Sequence, residues 1–350
     1  MTSFNELLEA AVSAGASDIH ISVGATPRAR VGNDLISLSE DILLPEDTWA
    51  VISEITSESQ RETLKRIGEI DFTYSISRLG RFRVNAFRQR GSYSMATRIL
   101  NLTIPSPEAL RIPDSVVKMT EKRRGLVLVT GATGSGKSTT LASLINIINQ
   151  DNPYHIITLE DPIEYLHRHG RSIVNQREIG GDSESYASAL RAALRQDPDV
   201  ILVGEMRDLE TISIAVTAAE TGHLVFSTLH TIGAANTIDR IIDVFPPHQQ
   251  QQIRTQLADV LECVVSQQLI PKKNGEGRVA AMEVMLTNPA IRNHIREAKT
   301  YQIPTVMQTN RRLGMITMDD ALLDLYMGGL ISQQSLMTYA IDKAAVERKI

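Results

Sequence analysis

Gly131-Ala-Thr-Gly-Ser-Gly-Lys137-Ser138-Thr139 decides the fold. The stretch fits G-x-x-x-x-G-K-[ST] at every fixed position, the pattern of a phosphate-binding loop. Glycines 131, 134 and 136 let the backbone curl, so that N–H groups around Thr133 and Ser135 turn inward toward phosphate oxygens. Lys137 brings a positive charge to the β and γ phosphates, Ser138 offers a hydroxyl to Mg²⁺, and Thr139 completes the motif. Before the loop, Gly125–Thr130 is a short apolar run of strand length. After it, Leu141, Leu144, Ile145 and Ile148 recur at helical spacing, so a helix aims the positive end of its dipole at the nucleotide. Strand, loop and helix in that order mark an ATP site rather than a chance run of glycines.

Working outward, His155–Leu159, Val200–Val203 and Leu224–Leu229 are further bounded apolar runs without alternation. Such strands are buried on both faces, and the helical patterns between them predict a doubly wound α/β layer with a mostly parallel sheet. Asp199-Val-Ile-Leu-Val-Gly204-Glu205 is an apolar strand ending in an acid, the Walker B pattern that faces magnesium and the attacking water. Many such strands end in Asp-Glu; here Gly204 precedes Glu205. A second acid is expected from Ile157-Thr-Leu-Glu160-Asp161-Pro-Ile-Glu164, where carboxylates cluster at a strand end. His223 and His230 flank the Leu224–Leu229 strand, and two histidines at its opposite ends cannot share one small site.

The N-terminal third reads differently. Phe4, Leu7, Leu8 and Ala11 predict an amphipathic helix ending near Gly15, and Asp18–Ser22 predicts a half-buried strand. A helix after Pro45, with Trp49, Ile52 and Ile55 inward, precedes strands at Asp71–Ile76, Arg81–Phe87 and Ser92–Leu100. Residues 1–103 thus form a mixed α+β domain, 104–116 a proline-punctuated linker, and 117–350 the nucleotide domain. From about Asp239 the pattern turns helical, with a helical C-terminal part over about 285–350. Asn288-Pro289 is read as a helix cap and first-turn proline, and His248–Gln252 as a polar helix start.

Bulk properties narrow the function. A chain of 350 residues, 42% hydrophobic, 22% charged and of net charge -5, is expected to be cytoplasmic and without direct affinity for nucleic acid. No apolar run reaches the roughly 18 residues of a membrane span, and the N-terminus lacks the features of a secretory signal. Cys263, the single cysteine, reads as a small buried residue.

These elements in this order resemble the secretion-type ATPases of type II secretion and type IV pili. The segments at 131–139, 157–164, 199–205 and 221–230 match that family's Walker A, Asp box, Walker B and His box, and Gly-Glu is its usual Walker B ending. The likeness extends to Gly15-Ala-Ser-Asp-Ile-His20 and Arg81-Phe-Arg-Val-Asn-Ala-Phe87, and so spans nearly the whole chain. Ala290-Ile-Arg-Asn-His-Ile-Arg-Glu297 is similar to a motif of the type IV pilus retraction (twitching motility) ATPases, with His294 in place of leucine. The four-cysteine insertion of the pilus assembly relatives has no counterpart at Gln267–Gly277.

The resemblance implies a RecA-like P-loop domain behind a PAS-like N-terminal domain, assembled as a homohexamer that binds ATP and Mg²⁺. It implies a cytoplasmic motor at the inner face of the cytoplasmic membrane, held there through partners, chiefly a type IV pilus inner-membrane platform protein. Glu205 is expected to polarise water with help from Glu160 or Glu164, and Ser138, Glu205 and Asp161 to hold the metal. Arg83 and Arg98 match the family's arginine fingers, and His223 and His230 its nucleotide-linked histidines. A motor for extension, secretion or DNA uptake is the nearest alternative.

Overall fold

The computed structural model describes residues 3–32, 34–77, 79–100 and 103–350. Two compact units divide the chain: Met1–Thr103 with Glu164–Leu166, and Ile104–Ile163 with His167–Ile350. Within the expected domain 1–103, positions 1, 2, 33, 78, 101 and 102 lie outside the described residues.

In the first unit, β1 (Asp18–Ile21), β2 (Arg28–Val31), β3 (Asp34–Ser37), β4 (Glu69–Ile76), β5 (Gly80–Gln89) and β6 (Ser92–Ile99) form one antiparallel sheet. Its order is β3-β2-β1-β6-β5-β4. Alternation sends Phe82, Val84 and Ala86 to the core and leaves Arg83 on the other face. Helices α1 (Phe4–Ser13), α2 (Pro45–Ile55) and α3 (Glu58–Ile67) supply that core, α1 through Phe4, Leu7, Leu8 and Ala11. Ser3 and Glu6 close a capping box at the start of α1. On α2 the most buried residues are Thr48, Val51, Ile52 and Ile55, whereas Trp49 is half-buried against Tyr93. Strands β2 and β3 and helix α3 escape a sequence reading because their apolar signal is thin: β3 is exposed throughout and α3 buries Leu64 alone.

In the second unit, two short helices, α4 (Pro107–Leu110) and α5 (Asp114–Val117), occupy the stretch read as a linker. Ile112 and Val116 there are buried in the core of this unit. Next come β7 (Gly125–Thr130), α6 (Lys137–Asp151), β8 (His155–Glu160), β9 (Ile173–Glu178) and α7 (Tyr186–Ala193). They are followed by β10 (Val200–Val203), α8 (Leu209–Glu220), β11 (Leu224–Leu229), α9 (Ala234–Asp243) and α10 (Pro247–Val260). The sheet runs β13-β12-β7-β11-β10-β8-β9, where β12 is Leu261–Pro271 and β13 is Arg278–Leu286. All neighbours are parallel except β12 and β13. Successive residues of β7 enter opposite cores, Leu126 and Leu128 on the α8 side, Val127 and Val129 on the α6 side. That is the doubly wound packing an unbroken apolar strand requires.

The β12–β13 hairpin corrects the expectation that the chain turns helical from Asp239. Ala280, Ala281, Met282, Glu283 and Met285 are good helix formers, but pairing with β12 from Cys263 to Pro271 overrides their local preference. Beyond it the chain is helical, opening with α11 (Pro289–Arg296), where the Asn288 side chain accepts from Ile291 N–H at 2.9 Å. No helix among the described residues is long and apolar enough to cross a membrane.

Candidate functional site

The phosphate loop leaves the C-terminal end of β7, a fully buried strand. Gly131, Gly134 and Gly136 have φ of 144°, 77° and 91°, which side chains other than hydrogen rarely tolerate. Two of them are constrained by a neighbour as well. A Cβ at Gly131 would lie 2.3 Å from the Gln267 carbonyl oxygen, and one at Gly136 would lie 2.8 Å from Gln267 Nε2. At Gly134 nothing stands within 4 Å, so backbone shape alone selects glycine there.

Gln267 reaches the loop because β12 runs parallel to β7, pairing Ser266 with Thr130. Its Oε1 accepts from Thr140 Oγ1 at 2.8 Å, both residues being buried. Sequence reasoning missed this residue, whose role depends on a strand pairing more than a hundred residues away. Lys137 is buried over the loop and donates to the carbonyls of Gly131 (2.9 Å) and Ala132 (3.1 Å). Ser138 and Thr139 lie half-buried in the first turn of α6, while Thr133 is exposed.

The acids arrive on neighbouring strands. Val203 pairs with Leu159 on β8 and Ser227 on β11, and Leu229 pairs with Thr130 on β7. The C-terminal ends of β8, β10, β11 and β7 are therefore level, at the edge where open parallel sheets bind ligands. Gly204 N–H donates to Leu159 O at 2.7 Å, and Thr228 Oγ1 donates to Gly204 O at 2.5 Å, which fixes the backbone entering Glu205. The Glu205 side chain is 16% exposed, and its Oε2 meets Arg207 Nε at 2.7 Å and His230 Nε2 at 3.3 Å. Glu160 Oε1 accepts from Thr158 Oγ1 (2.6 Å) and Gln176 Nε2 (3.1 Å). A cavity of about 260 Å³ opens beside this group, walled by Glu205, Arg207, Thr228, His230, Thr231 and Arg240. Tyr186, at the start of α7, is also close. Burial holds its phenol in the protonated form, and the charges of Glu205, Asp161 and Glu160 reinforce this.

The structure thus brings Glu205, Glu160 and His230 to the phosphate-loop edge. Arg207 belongs with them; its signal was an arginine two residues beyond the acid. His223 does not join. It precedes β11 at the opposite end, its Nδ1 2.9 Å from Ala218 O and 3.4 Å from Thr221 Oγ1, and six strand residues at about 3.3 Å each separate it from His230. A nucleotide-binding role for His223 in this unit is dropped on that geometry. Asp161 is exposed just past β8, and Glu164, also exposed, is grouped with the other unit. Arg83 and Arg98 face each other across β5 and β6 on the polar side of the N-terminal sheet, and Arg98 Nε lies 3.0 Å from Asp18 Oδ1.

The donors suit magnesium. Ser138 and the carboxylates past β8 and β10 are hard oxygen ligands. Among the described residues no three or more His, Cys, Asp or Glu are gathered to hold a metal.

A phosphate loop on β7 and an acid on β10, level across β11 at one edge of a parallel sheet, define a RecA-like P-loop ATPase. The family model for Type II/IV secretion system protein matches residues 108–323, and the chain belongs to that family. It is 47% identical over 330 residues to the Type IV pilus retractation ATPase PilT of Pseudomonas aeruginosa, covering 94% of this chain and 96% of the relative. It is 47% identical over 310 residues to the Twitching motility protein of Neisseria gonorrhoeae, covering 89% and 83%. Among solved structures, the pilus retraction motor PilT with bound ADP superimposes with a TM-score of 0.93 at 49% identity, over 99% of this chain and 100% of that one.

Proposed function

We propose that this chain hydrolyses ATP to ADP and phosphate as the motor that powers type IV pilus retraction, and hence twitching motility. The observation that carries the chemistry is Glu205, held between Arg207 and His230 level with the phosphate loop. The mechanical load follows from the likeness to the retraction ATPase of Pseudomonas aeruginosa over 94% of the chain.

In this reading the loop N–H groups and Lys137 grip the β and γ phosphates, and Lys137 exchanges its carbonyl partners for phosphate oxygens as ATP enters. Glu205 orients the attacking water and accepts its proton, while Arg207 and His230 keep its carboxylate in place. Ser138, Glu205 and Asp161 would hold Mg²⁺, which neutralises charge developing on the phosphates. Arg83 and Arg98 reach the γ phosphate as the chain assembles into a homohexamer, and Arg98 then exchanges Asp18 for phosphate. Hydrolysis removes those contacts and lets one domain rotate against the other. The ring works at the cytoplasmic face of the membrane, docked on a platform protein of the pilus machine.

Two measurements test this. Glu205→Gln should bind ATP while turnover falls at least about a hundredfold, the usual contribution of a positioned base; full turnover would refute the assignment. A strain lacking the gene should carry many surface pili and not twitch. Bald cells would make the motor one of extension.

A further inference from the structure

Gly204 holds the position where many Walker B strands carry aspartate, and the structure shows what fills that space instead. A Cβ built on Gly204 would lie 2.7 Å from the Tyr186 hydroxyl, 3.0 Å from Leu159 O and 3.4 Å from Glu160 Cα. Contacts under 3.0 Å force something to move, and here the obstructing atom ends a ring already packed against the core around β8 and β10. The ring cannot swing away cheaply. It belongs to the first residue of α7, whose start is fixed by a capping box in which the Ser185 side chain accepts from Ser188 N–H.

We propose that Tyr186 is a positioning residue for ATP hydrolysis, its hydroxyl lodged over Gly204 and donating its single hydrogen bond, during turnover, to one of the flanking carboxylates, Glu205 or Glu160. Three observations support this. The hydroxyl sits against the one residue joining β10 to Glu205, on the side of Gly204 that also faces the backbone of Leu159 and Glu160. A tyrosine hydroxyl is neutral at physiological pH, so it is a donor rather than an added negative charge. The carboxylates on either side of Gly204 are acceptors, which makes a neutral donor a complementary partner. Glu205 Oε2 is already shared by Arg207 and His230, and Glu160 Oε1 by Thr158 and Gln176. A third support from the Gly204 side would restrict the carboxylate it meets to the orientation that serves the attacking water. Where an aspartate would add negative charge beside the γ phosphate, this arrangement adds a hydroxyl.

The inference rests on Glu205 being the acid that orients water, so its test is run beside Glu205→Gln. Tyr186→Phe keeps the ring and removes one oxygen. We expect unchanged thermal stability, KM for ATP within about twofold and kcat lowered about tenfold, the usual effect of one lost hydrogen bond to a charged group. Gly204→Ala, made in both backgrounds, checks the geometry. It should cost more turnover in the tyrosine enzyme, where its methyl meets the hydroxyl, than in the phenylalanine enzyme. Unchanged kcat in Tyr186→Phe, a loss confined to KM, or a loss that tracks a fall in Tm overturns the proposal, as do equal Gly204→Ala losses in the two backgrounds. If Glu205→Gln abolishes turnover and Tyr186→Phe leaves kcat unchanged, only the role of Tyr186 falls. If Glu205→Gln is fully active, the underlying assignment falls with it.

Discussion

Replacing Gln267 with leucine keeps most of the side-chain volume beside the phosphate loop and removes its polar atoms. The partner left behind is Thr140, 1% exposed, whose hydroxyl donates to Gln267 Oε1 at 2.8 Å. A buried hydroxyl deprived of its acceptor costs about 1–3 kcal/mol. Taking ~2 kcal/mol, and about 2–4 °C per kcal/mol for a domain of this size, the melting temperature should fall by about 4–8 °C. Thr140→Val strands the Gln267 carbonyl in the same way and should cost a similar amount. With both changes neither end is left wanting, so the double variant should melt well above the sum of the two losses. The assay is thermal unfolding of the four proteins in one buffer, with KM for ATP measured on each. Additivity within about 0.5 kcal/mol would refute the reasoning, because the pair would then not be the link that ties β12 to the loop.

Three further outcomes are expected. His223→Ala should keep kcat within about twofold and cost about 1 kcal/mol or less, since its contact is to Ala218 O at the far end of β11; a large loss of turnover would restore it to the site. Arg292→Ala should lower stability by about 1–2 kcal/mol, because Arg292 donates to the Ala258 and Asp259 carbonyls that end α10 and pairs with Glu262. Arg296→Ala removes only a half-exposed pair with Asp259, worth about 0–1 kcal/mol, so loss of twitching with normal ATPase in that variant is the cleaner sign of coupling to motion. Glu283 on β13 accepts from Ala234 N–H (2.7 Å) and Met318 N–H (3.1 Å). Burial raises its carboxyl above the usual 4.5, outweighing the lowering pull of those two N–H groups. Its contribution to stability is therefore complete below pH 4.5 and lost as pH rises through the folded value. The wild type should exceed Glu283→Gln by most in acid, with the gap in melting temperature closing as pH rises; a gap that widens with pH would contradict this.

What the sequence settled by itself was whatever short-range pattern encodes. The residues of the phosphate loop carry their own chemistry. The apolar runs of β7, β8, β10 and β11 are short, bounded and free of alternation, and each is a strand buried on both faces. Helix caps at Asn288 and the amphipathic face of α1 were equally plain. The hairpin β12–β13 was not, because the alanines and methionines of β13 prefer helix and only pairing against β12, itself held on β7, makes them a sheet. Strand order lay beyond the sequence too. Placing β11 between β7 and β10 puts His230 against Glu205 and strands His223 at the other edge. The same placement decides the partners of the loop: Gln267 from β12 enforces two of its glycines, and the Tyr186 hydroxyl occupies the space over Gly204. A glycine in a sequence shows only that a side chain is missing. The atom standing in its place comes from a segment distant in the chain, and tertiary packing alone brings it there.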